Sequence, residues 1–183
     1  MKQKQKKKHK HRGYGQQIND LKSPVQSEAI DESLALFLMV IKDKMGVGME
    51  ELREIWENVQ TMAAAVGDES VDLLDCIAEL QRDAGVYIDP VSIIMLPQPK
   101  GLCYADVITA RQRTKRRAIN MTEAMILWVL MRKHGWVPAT LKELKAGMDY
   151  QADSLAKAYI KVEDMIAVLK EEYGIEIVGT PAV

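Results

Sequence analysis

The chain has 183 residues, 48% of them hydrophobic and 28% charged, with a net charge of −1. That length holds one or two small domains with a packed core. Its longest apolar runs, 34 to 41 and 124 to 131, fall far short of the roughly 20 residues a membrane helix needs, so membrane partners are excluded from the reading.

The near-neutral mean conceals strong segregation. Residues 1 to 24 hold eight basic residues against Asp20 alone, a net of +7. Lys6, Lys7, Lys8, Lys10 and Arg12 crowd the first dozen positions, and residues 1 to 26 are expected to be a disordered basic tail. No apolar stretch follows these charges, so the N-terminus does not read as a secretory signal. Cys76 and Cys103 lack metal-ligand spacing and read as free thiols in a reducing compartment.

From residue 27 to 89 the pattern is that of three helices, near 32 to 45, 49 to 66 and 70 to 84. This stretch is strongly acidic: residues 31 to 90 carry fourteen acidic and four basic side chains, a net of −10. Residues 90 to 120 read as a linker. Pro90, Pro97, Pro99 and Gly101 keep its first half irregular, and 104 to 118 form a helix with Asp106 near its positive end. That helix carries Arg111, Arg113, Lys115, Arg116 and Arg117, giving residues 100 to 120 a net of +5.

A second set of three helices is expected between 121 and 178. Asn120 with Glu123 fits a capping box for the first, which ends at Gly135. Pro138 suits the first turn of the second, and the third runs from about Val162 to Tyr173 before Gly174. The short segments "VYI" and "IEIV" that close the two sets could pair as β-strands, and residues 179 to 183 are a tail.

The two sets are related. At an offset of 89 residues, Gly46 falls on Gly135, Leu52 on Leu141, Leu80 on Leu169, Gly85 on Gly174 and Ile88 on Ile177, without a gap. The pattern predicts an all-α chain built as a tandem duplication of a unit of about 55 residues. The first helix of each unit, "LALFLMVIKDKMG" or "EAMILWVLMRKHG", is apolar nearly all round and needs neighbours on two sides. Packing the copies about a pseudo-twofold axis, as a fused dimer, would bury both.

Chemistry-bearing motifs are sparse. There is no glycine-rich phosphate loop, nucleophile elbow or metal-binding histidine helix, so the chain reads as non-enzymatic, with no catalytic residue, metal or cofactor to assign. His134 reads as a cation at a helix C-terminus, Asp75 and Asp164 as capping or solvated carboxylates, and Trp56, Trp128 and Trp136 as packing anchors. The eleven methionines suit either a duplicated core or a permissive binding surface. The basic segments carry the functional reading. Lys6, Lys7, Lys8, Lys10 and Arg12 in the tail, with Arg111, Arg113, Lys115, Arg116 and Arg117 in the linker helix, are expected to bind nucleic acid without reading its sequence. The alternative is a protein partner engaged through an acidic, methionine-rich surface.

The unit "LWVLMRKHGW", followed by a helix and then "KVEDMIAVLKEEYGIEIV", resembles small helical proteins of phages and prophages of Gram-positive bacteria. The resemblance covers residues 33 to 89 and 122 to 178; the first copy departs from it with "MGVGM" and "LQRDAGVYI". It implies a location in the host bacterial cytoplasm and brings no catalytic residues.

Overall fold

A computed structural model describes residues 14–94, 103–156 and 162–177. Helix α1 spans Tyr14–Met45, α2 Met49–Gly67 and α3 Leu73–Glu79, continued by a π-helical turn at Leu80–Ala84. A 3-10 turn at Pro90–Ser92 precedes α4, Tyr104–Arg132, and then come α5, Pro138–Ala156, and α6, Val162–Tyr173. Among the described residues there is no strand. The segments expected to pair as strands instead lie flat on the core, with Val86, Ile88, Ile175 and Ile177 buried and Tyr87 and Glu176 exposed between them.

The second and third helices keep the 89-residue relation at both ends. α2 and α5 start and stop at equivalent positions, and so do α6 and the run formed by α3 with its π-helical turn. Gly46 and Gly135 both adopt left-handed backbone, with φ of 63° and 66°. The third helices end alike. Gly85 donates to Gln81 O at 3.1 Å and Val86 to Leu80 O at 3.2 Å, while Gly174 donates to Lys170 O at 3.1 Å and Ile175 to Leu169 O at 2.9 Å. This reverse turn needs positive φ at the glycine, observed as 62° and 64°, a conformation that costs any residue with a Cβ. The space is also taken: a Cβ would lie 2.9 Å from Lys142 Nζ at Gly85 and 2.8 Å from Arg53 Nη2 at Gly174. Arg53 and Lys142 are themselves 89 residues apart, so each second helix lays a cation on the end of the other half's third helix.

The first helices differ from expectation. α1 reaches back to Tyr14, well before the boundary at residue 27, and accommodates Pro24 within it. The expected linker helix and the first helix of the second set are one element, α4. Asn120 caps nothing: its amide donates to Ser92 Oγ across the connector, and the predicted capping partner Glu123 is buried in mid-helix. The helix continues because Ala118, Met121, Thr122 and Ala124 are all buried, and this tertiary burial outweighs a local start signal.

α1 and α4 share the most extensive interhelical contact, and each also packs on the helices of the opposite half. α1 meets α5 and α6 more than α2, and α4 meets α2 and α3 of the first half as well as α5 of its own. Local contacts mirror this exchange. Asn58 of α2 faces His134 just past α4, and Gly147 of α5 lies against Val40 and Lys44 of α1. Leu38, Leu127, Leu52, Leu141, Leu80 and Leu169 are all fully buried, so equivalent positions enter one core together.

Candidate nucleic-acid interface

Five of the sequence-predicted cations, Lys6, Lys7, Lys8, Lys10 and Arg12, lie outside the described residues. The other five sit on the N-terminal half of α4, which Asp106 stabilises at its start by accepting the Cys103 N–H at 2.6 Å. That hydrogen bond holds the Asp106 carboxyl below its ordinary range.

The five do not act alike. Arg117 is half-buried: its Nε donates to Ile93 O at 2.6 Å and Nη1 approaches Gln26 Oε1 at 3.5 Å, so it fastens the connector to α4 and α1. Burial lowers its pKa. Lys115 pairs with Glu32 of α1 at 3.4 Å, both half-buried. These two hold the α1–α4 crossing together, a role the charge run does not disclose. Arg111, Arg113 and Arg116 are exposed. At 3.6 residues per turn, Arg113 and Arg116 lie on one side of the helix and Arg111 on another. Exposed Ile108 on α4 and exposed Val91 and Ile94 on the connector add apolar surface to this end.

Other candidate residues have structural settings. Trp128 Nε1 donates to Glu79 Oε2 at 2.9 Å, and Arg132 Nη2 reaches the same oxygen at 2.9 Å and Asp83 Oδ2 at 2.8 Å. The Trp128 bond first, then Arg132, hold Glu79 below the usual carboxylate range. Trp56 is buried and Trp136 half-buried in the core, and Asp75 and Asp164 are exposed on α3 and α6. Burial pushes the Cys76 thiol up to about 11, aided by Glu79 and Asp75, whereas Cys103 is exposed. Among the described residues no three His, Cys, Asp or Glu side chains gather as a metal site, and no helix is long and apolar enough to cross a membrane. The expected methionine-rich surface is largely interior. Among the described residues, Met62, Met121, Met125 and Met148 are buried, and Met39, Met45, Met131 and Met165 are partly buried against the core, leaving Met49 exposed. An acidic face does exist on α2, where Glu50, Glu51, Glu54 and Glu57 are exposed.

One cluster escaped sequence reasoning. Glu123 is 3% exposed, and its Oε1 lies 3.3 Å from Lys145 Nζ of α5. Lys145 Nζ in turn contacts both Asp149 oxygens, at 2.7 and 2.8 Å. Desolvation pushes the Glu123 carboxyl up to about 7 against the pull of Lys145. Desolvation alone would lower Lys145, but Glu123 and Asp149 outweigh it and hold the amine above its ordinary value. The signal is present in the repeat: Glu123 stands 89 residues after Leu34, and Lys145 after Trp56.

Comparison with family models, with curated proteins and with solved structures gives no match for this chain.

Proposed function

We propose that the chain is a tandem duplication folded as a pseudo-twofold fused dimer, and that it associates with nucleic acid through its basic segments as a non-enzymatic accessory protein of the phage and prophage type. The duplication is supported by helix bounds and left-handed glycines that recur at 89 residues, and by the mirrored packing of each first helix on the opposite half. A twofold relation also requires the first helices to meet at equivalent segments. Lys115, which stands 89 residues after Gln26, pairs with Glu32, and Arg117 approaches Gln26.

The observation that carries the nucleic-acid reading is the exposure of Arg111, Arg113 and Arg116 on one continuous helix, in a chain whose first dozen residues are also strongly basic. Exposed guanidinium groups on a rigid helix neutralise backbone phosphates and release counterions, which gives binding without sequence preference. Lys115 and Arg117, committed to Glu32 and Ile93, add less.

The test is a salt titration of fluorescence anisotropy with unrelated duplexes. Arg113→Ala with Arg116→Ala should weaken all duplexes about equally and flatten the salt dependence by up to about 0.9 log unit of slope for each phosphate no longer neutralised. Removing residues 1 to 12 should do the same from the other segment. Shallow, indistinguishable slopes for wild type and both variants would remove nucleic acid and promote a protein partner recognised by the acidic face of α2.

A further inference from the structure

Resting on the duplication proposed above, the core provides its own comparison. At the contact between α4 and α5, the second half buries Glu123 beside Lys145; at the equivalent positions of the first half stand Leu34 and Trp56, both buried. The fold therefore does not need charge at this place. Ionic pairs of this kind are weak sources of stability compared with apolar side chains of similar volume. The polar satisfaction is also incomplete: Glu123 Oε1 and the adjacent Thr122 Oγ1 are fully enclosed and accept or donate no aligned hydrogen bond. Ser33, the equivalent of Thr122, bonds instead to Ala29 O. The array runs from the interior to the surface, because Lys145 is half-buried and its second partner Asp149 is exposed.

We infer that the α4–α5 contact of the second half is a proton-responsive joint, in which the Glu123 carboxylate takes a proton from solvent while Lys145 stays an ammonium paired with Asp149. The first half, with Leu34 and Trp56 at the same place, has no such response. α5 supplies both charged groups that bear on Glu123, Lys145 and Asp149; α1, α2, α3, the π-helical turn with Arg82 and Asp83, and the 3-10 turn, which also pack on α4, set no described charge against it. Uptake needs no other reactant: the proton moves from water to Glu123, and the pair with Lys145 gives way to the pair with Asp149.

The direction is fixed by linkage. A carboxyl that the fold raises to about 7 binds its proton more tightly folded than unfolded. Its contribution is therefore full below the ordinary carboxylate value and is lost as pH rises through neutrality.

Two measurements on the full chain test the inference. In carbon-detected NMR with labelled glutamate, one carboxyl should titrate near neutrality, and Lys145→Met should move that midpoint upward. The thermal midpoint of the wild type should fall between about pH 5 and pH 8, with the folding constant changing by up to about tenfold per pH unit. Glu123→Gln should abolish that slope, and Glu123→Leu, which installs the residue found at position 34, should abolish it too. An unchanged slope in both variants, or no carboxyl titrating near neutrality, would overturn the joint.

Discussion

Exchange of the first helices has a consequence for cooperativity. Leu52 in α2 and Leu141 in α5 are both completely buried, and both lie on the first turn of their helices, where their amides donate to Gly48 O at 3.0 Å and Val137 O at 3.1 Å. Truncating either to alanine removes three buried carbon groups, worth about 2.4 kcal/mol at roughly 0.8 kcal/mol each, and leaves a cavity that brings the total to about 2–5 kcal/mol. Two independent three-helix units would confine each loss to its own unit. Here α2 packs on α4 and α5 on α1, so neither half owns a complete core. Leu52→Ala and Leu141→Ala should each shift one shared transition, by comparable amounts. Urea unfolding followed both by far-UV circular dichroism and by tryptophan fluorescence checks this, with a slope of roughly 2 kcal/mol/M turning the loss into a midpoint shift of about 1–2.5 M. Two separable transitions, only one of which moves with Leu52→Ala, would refute the reasoning.

Three further outcomes are expected. Gly174→Ala should destabilise by at least about 1 kcal/mol, because it combines left-handed backbone with a close approach to Arg53, and trimming Arg53 to alanine in the same chain should recover part of the loss in a double-mutant cycle. Cys103 should react promptly with a thiol reagent in the native state, while Cys76, buried and with its thiol pushed up to about 11, should react only after unfolding. Glu79, held below the usual carboxylate range by Trp128 and Arg132, contributes stability above its unfolded value that is lost as pH falls through its folded value; Glu79→Gln should blunt acid unfolding and alter tryptophan emission.

Much of the helical register is legible in the sequence because it is written in strong local marks. Glycine at the end of the first and third helices, proline at residue 138 and regularly spaced leucines locate α2, α3, α5 and α6 within a few residues. The lengths of α1 and α4 are not legible. Pro24 and the pair Asn120 and Glu123 are genuine local signals, but burial of Ala118 and of Met121 to Leu127 along α4 overrides the latter. An all-round apolar first helix announces two neighbours without saying which, so periodicity cannot disclose the exchange between halves. The alternation from Val86 to Ile88 and from Ile175 to Ile177 matches which side chains go inside, but among the described residues no partner strand lies alongside. For the candidate interface, the charge run locates the right helix and makes its five cations look equal, whereas packing diverts Lys115 and Arg117 to Glu32 and Ile93. Glu123 resembles a cap by local position alone; its apolar counterpart, Leu34, is the mark of an interior site.

The first helix of each half packs on the other half, and a pair of thiols can report that exchange directly. In a chain with Cys103→Ser, Asn58→Cys and His134→Cys, the new thiols stand where the Asn58 and His134 side chains approach to 3.4 Å. A short bifunctional thiol reagent should then join peptides containing residues 58 and 134 within one chain, at dilution and with helicity unchanged, as read by mass spectrometry. A folded chain that yields no such intramolecular link, or links only between separate molecules, would contradict the exchange.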